Sequence, residues 1–195
     1  MSLTEALKSK EIGAVEAFLD GTDHAGRLRA LERLTSREQA QLYEMSDGRG
    51  CTLGGNYVAH DAEPLNEVIH WGYNSLPTFR VFQKRFCRPS QARDPAVLFG
   101  YNEQSMKVFT GPGYFVARED THESGVSTVV IDYKAEADER PKTWPVILPN
   151  AARLSRWIYF GTRDWMWTVS RHVTVGRAQR DTGWMDNWFV LCREL

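Results

Sequence analysis

The residues with the most pointed chemistry lie close together near the C-terminal end: Arg156, Trp157, Tyr159, Trp165, Trp167 and Arg171. A guanidinium binds a carboxylate or phosphate through two parallel hydrogen bonds, and large rings bury an apolar body. Interleaved in this way, Arg156 and Arg171 are expected to hold the head of a small hydrophobic anion while Trp157, Tyr159, Trp165 and Trp167 wall its body. Two nearby residues, His172 and Asp164, are the candidates for acid or base work if the same cavity catalyses proton transfer, since an imidazole titrates near neutrality and a carboxyl can be tuned towards it.

Charge placement allows a plainer explanation. Residues 75–93 hold Arg80, Lys84, Arg85, Arg88 and Arg93 without an acid, and residues 153–180 hold six arginines against the one acid Asp164. Residues 119–139 hold Glu119, Asp120, Glu123, Asp132, Glu136, Asp138 and Glu139. Basic and acidic surfaces of this kind pair with one another or are solvated, and an exposed pair contributes only about 0–1 kcal/mol. Aromatic platforms in a basic groove also describe single-strand nucleic-acid binders, but 24 basic against 25 acidic side chains give no global field for a polyanion. Nucleic acid therefore ranks behind a small ligand.

Other reactive types do not assemble into motifs. His24, His60, His70, His122 and His172 lack metal-ligand spacing, and Cys51, Cys87 and Cys192 are isolated from one another, so no metal or cofactor is expected. The three cysteines are expected to be reduced and mostly buried. Gly111-Pro112-Gly113 lacks the lysine and hydroxyl residue of a phosphate loop and reads as a turn, and no glycine-flanked serine forms a nucleophile elbow.

The elements that must position these groups follow from periodicity. Ser2 with Glu5 and Thr35 with Glu38 have capping-box spacing, Leu28, Leu31 and Leu34 form an apolar stripe, and Gly21 and Gly48 close segments, so residues 1–47 read as helices. Between 48 and 75, glycines and Pro64 indicate loops with two short extended pieces, Cys51 to Val58 and Leu65 to Trp71. Phe79, Phe82 and Phe86 recur at helical spacing, which predicts a short amphipathic helix over 75–88. From residue 97 the texture is β: Val97–Tyr101, Met106–Thr110, Tyr114–Arg118, Val126–Tyr133, the alternating Trp165, Trp167 and Val169, then Val173–Arg180 and Trp188–Arg193 around a turn at Asp181 to Gly183. A helix over 152–169 is the competing reading there.

With 195 residues, the chain reads as a single domain over 1–195, with a helical segment at 1–47 and a β-rich part at 97–195. Six of its seven Trp lie after residue 143, and each such ring buries about 150–250 Å², so the final quarter must supply core, line a cavity, or both. The expected fold is α+β, with N-terminal helices packed on a curved antiparallel sheet or incomplete lipocalin-like β-barrel; a cone-shaped α+β sheet is the alternative. No apolar run approaches the roughly 20 residues of a spanning helix, which predicts a cytoplasmic protein without membrane insertion.

The closing segment, Val173-Thr174-Val175-Gly176-Arg177-Ala178, then Gly183, then Trp188-Phe189-Val190-Leu191, resembles the last hairpin of the plastid lipid-associated (fibrillin) family of lipocalin-like barrels. It covers about a tenth of the chain. Two functions are carried forward: a non-catalytic carrier or sensor of a small hydrophobic anion, and a small-molecule enzyme of proton-transfer type using the same cavity.

Overall fold

The structure, a computed structural model, describes residues 2–76, 80–90, 96–104, 112–135, 137–148 and 161–194. Four short helices come first: α1 (Leu3–Lys8), α2 (Ile12–Asp20), α3 (His24–Glu32) and α4 (Ser36–Met45). Both expected capping boxes form, with Ser2 and Glu5 opening α1 and Thr35 and Glu38 opening α4. At α3 the carboxylate of Asp23 accepts from the Gly26 N–H and does the same work. Helices this short are marginal alone. Their buried leucines, including Leu7, Leu19, Leu31 and Leu42, pack on Tyr73, Trp167, Val175 and Val190, which ties them to the barrel.

Eight strands follow: β1 (Val68–Asn74), β2 (Val81–Cys87), β3 (Val97–Glu103), β4 (Tyr114–Thr121), β5 (Ser127–Asp132), β6 (Thr162–Thr168), β7 (Val173–Arg180) and β8 (Gly183–Arg193). Each pairs antiparallel with the next, and β8 returns to β1 with Tyr73 opposite Val190, so the sheet is a closed barrel. Closure removes the unpaired edges that an incomplete barrel would expose. The helices cover its outer wall at β7, β8 and β1.

Three expected elements differ. The 75–88 segment contains strand β2, not a helix: Phe82 and Phe86 are four apart, a spacing that is also an even number, and cross-strand pairing with β1 and β3 selects period two. Phe79 lies outside the described residues. The extended piece expected at Cys51 to Val58 is instead a single π-helical turn, Leu53–Tyr57, opened by the Thr52 hydroxyl, which accepts from the Gly55 N–H. The piece expected from Leu65 starts only at Val68, because Leu65 has a left-handed φ of 58° that interrupts any extended run. The expected Met106–Thr110 strand and the region up to residue 160 of the expected 152–169 element lie outside the described residues.

Register fixes what faces inward. Phe82, Lys84 and Phe86 on β2 share the inner face with Gly72 and His70 on β1, Gly100 and Asn102 on β3, and Phe115 on β4. At two of these inner positions any larger residue would force a neighbour to shift. A Cβ on Gly72 would stand 2.4 Å from the Phe82 ring and one on Gly100 would stand 2.3 Å from the Phe115 ring. One end of the barrel is filled by the π-helical turn, whose Tyr57 packs on His70 and Phe86 with ring centroids 5.3 and 5.0 Å away.

Candidate functional site

The inner face of β2 places an ammonium in the middle of an aromatic core. Lys84 stands between Phe82 and Phe86, and its side chain is 3% exposed. Its Nζ donates to Asn102 Oδ1 on β3 at 3.1 Å, to Asp164 Oδ2 on β6 at 3.1 Å, and to the hydroxyl of Tyr133, the residue after β5. Three N–H groups thus meet three acceptors. Asn102 Nδ2 in turn donates to Tyr133 Oη at 3.0 Å and to the Gly113 carbonyl at 3.2 Å, which holds the amide oxygen towards Lys84.

Rings close the rest of the sphere. The ammonium is 4.9 Å from the Tyr133 centroid, 5.0 Å from Phe189, 5.2 Å from Phe115 and 5.6 Å from Phe82. Such contacts favour a cation, yet full removal from water disfavours it. Burial pushes the Lys84 amine down and the Asp164 carboxyl up, against the attraction that each exerts on the other. The two shifts bring the ion pair closer in energy to its neutral form, an amine beside a protonated acid, and the pair titrates as a unit. Nearby, His70 is buried and held neutral, its pKa pushed down to about 3 by loss of solvent.

On the outer rim lies a depression of about 490 Å³, whose lining includes Trp71, Phe82, Gln83, Arg85 and Gln104. Phe82 is therefore common to that depression and to the cage around Lys84.

The residues singled out in the sequence are scattered. Asp164 is in the cluster. Trp165 and Trp167 belong to the opposite face of the same strand: Trp165 Nε1 donates to Gln179 Oε1 at 2.8 Å, and Trp167 packs on Tyr43 of α4 and on His122. Arg171 does not point inward beside them. It is exposed in the turn between β6 and β7, where its backbone N–H donates to Asp20 Oδ1 at 3.1 Å. His172 shares that turn, half-buried, with its pKa lowered by burial and by Arg27 and Arg193. Arg156, Trp157 and Tyr159 lie outside the described residues.

Lys84, Asn102 and Tyr133 are the residues that sequence reasoning missed. The available signal was the alternation Phe82, Lys84, Phe86, a lone charge on an apolar strand face. The cysteines are free and buried, and burial pushes the Cys51 thiol up to about 12, which leaves it a poor nucleophile. Among the described residues no group of three His, Cys, Asp or Glu is placed to hold a metal, and no helix is long and apolar enough to cross a membrane. Comparison with protein families, with characterised proteins and with solved structures finds no significant match.

Proposed function

We propose that the barrel binds a small hydrophobic anion whose head group lies on Lys84. The observation that supports this reading is a fully buried ammonium ringed by Phe82, Phe115, Tyr133 and Phe189. A core built for stability alone gains little from an ion pair, since apolar residues of similar volume serve as well or better. A binding site for an amphipathic molecule needs that combination of one fixed charge and an apolar surround.

In the free protein Asp164 occupies the third acceptor position at Lys84. An incoming carboxylate takes that position past Phe82, and its apolar body lies against the rings. One ammonium cannot balance two carboxylates in a dry site, so Asp164, already raised by burial, takes up a proton. Among the described residues, the groups facing the pair include Asn102 from β3, Tyr133 after β5, Phe115 from β4, Ala178 from β7, Phe189 from β8, Tyr57 of the π-helical turn and, opposite Lys84 in the register, the neutral His70 from β1. None of these adds a second cation.

Binding is then linked to uptake of about one proton and weakens as pH rises. Calorimetry with a panel of aliphatic and aromatic carboxylates, run in two buffers of different ionisation enthalpy, measures both. Native mass spectrometry of freshly purified protein would add a co-purifying ligand. An empty protein that ignores the whole panel ends this reading. The proton-transfer alternative is favoured by one observation, the buried Asp164 carboxyl, and its other candidate, His172, lies in the β6–β7 turn away from the cluster.

A further inference from the structure

The architecture gives Lys84 no packing reason to be an amine, and the atoms around it are those that amine chemistry requires. Nζ lies beside a carboxyl at 3.1 Å and a phenol, inside a cage of rings that keeps water from competing. We propose that Lys84 condenses with the carbonyl carbon of a small apolar aldehyde or ketone to form an imine, with Asp164 as proton donor and acceptor. This rests on the reading that the barrel admits a small apolar molecule.

The step balances without any further reactant. It starts when Nζ passes one proton to Asp164 Oδ2 across their 3.1 Å hydrogen bond, leaving an amine beside a protonated carboxyl, a form that burial of both groups brings closer in energy to the ion pair. The nitrogen lone pair bonds to the carbonyl carbon, the C=O π pair moves to oxygen, and that oxygen takes the Asp164 proton. Asp164 next removes a proton from the nitrogen and delivers it to the hydroxyl, which leaves as water while the nitrogen lone pair forms the C=N bond. The product is a protonated imine with Asp164 carboxylate as its counter-ion, and one water is released for each carbonyl consumed. Counting the proton first passed to Asp164, Nζ gives up two hydrogens, each by way of the carboxyl and both ending in the departing water, and Asn102 Oδ1 and Tyr133 Oη position the nitrogen at the start of the step.

The test uses the whole chain and 1-phenylbutane-1,3-dione, a diketone that turns an unprotonated lysine into a stable, conjugated enaminone with loss of water. Intact mass, the near-ultraviolet band of the enaminone and peptide mapping are read together near neutral pH. The expected result is one adduct, on Lys84, formed at least about tenfold faster than on the surface residues Lys8, Lys10, Lys134 or Lys142. Lys84→Arg, which keeps the cation but has no primary amine, should give no adduct, and mapping of the unaltered protein localises the label even if that variant does not fold. Binding of 4-phenylbutanoate is followed by calorimetry in parallel. No adduct on Lys84 while the acid binds overturns the imine but leaves the pocket standing. Neither adduct nor binding overturns both, and labelling confined to surface lysines overturns the imine.

Discussion

Strand β6 has two aromatic-rich neighbourhoods, one on each face, and they differ in kind. Outward, Trp165 and Trp167 meet His122, and Trp167 reaches Tyr43 of α4 beneath the helices. Inward, Asp164 and Met166 meet a ring-lined interior with Lys84 at its centre. The outer cluster is rich in tryptophan and joins layers. The inner one holds a saturated set of polar groups in a dry space, an arrangement that packing does not ask for. Aromatic abundance therefore marks where helices dock, and a lone charge among rings marks where chemistry is placed.

The contrast breaks most visibly on deletion. Trp167→Ala should cost about 3–5 kcal/mol in chemical denaturation by opening a cavity, and whatever folded protein remains should still bind carboxylates. Lys84→Ala should cost a similar ~3–5 kcal/mol by leaving Asp164 buried without its cation, and should abolish binding. If Lys84→Ala costs under about 1 kcal/mol, water reaches the cluster and the inner face is no different from the outer one.

Removing both charges sharpens the point. Lys84→Met combined with Asp164→Leu should restore stability to within about 1 kcal/mol of the parent or raise it, because an apolar pair of similar volume replaces the ion pair. The double variant should still fail to bind. A double variant as unstable as the single one would mean that the pair specifies the barrel itself.

His70 offers a smaller effect with a defined sign. Its folded pKa of about 3 lies below the unfolded value of 6.5, so the unfolded chain binds more protons between those limits and stability falls as pH drops through that window. By pH 4 the loss attributable to His70 is about 3 kcal/mol. Denaturation at pH 7 and pH 4 should show a shallower decline for His70→Gln than for the parent. Parallel declines would show that this ring is not sealed inside. Smallest of all, Thr35→Ala removes the cap of α4 and should lower stability by about 1 kcal/mol with binding unchanged.

How far the sequence disclosed this arrangement depended on how local the signal was. The caps at Ser2 and Thr35 need only residues three apart, and β7 begins and ends where its valines and arginines indicate, so these were legible. Strand β2 was not, since Phe82 and Phe86 satisfy a helix and a strand equally until β1 and β3 are in place. The faces of β6 were inverted relative to expectation for a related reason. A barrel covered by helices is apolar outside as well as inside, so alternation shows that two faces exist without telling which one is the interior. Asp164 was picked out for its neighbours in sequence, yet the other members of its cluster, Lys84, Asn102 and Tyr133, come from three other strands or their ends, 80, 62 and 31 positions away.

Closure through β8 also sets the order in which the chain must be made. Tyr73 waits for Val190 and Gly72 for Leu191, so the ring cannot close until β8 is available, however early the helices form. Contacts of such sequence separation slow folding. On the ribosome, β1 and β7 would wait with free edges while the segments between them are already synthesised. An N-terminal fragment stopped before Gly183 would keep both edges permanently, along with the outward Tyr73, Val173 and Val175 that β8 and the helices normally share. Such a fragment should pair with other copies of itself and precipitate, which makes the last strand the safeguard of solubility for everything translated before it.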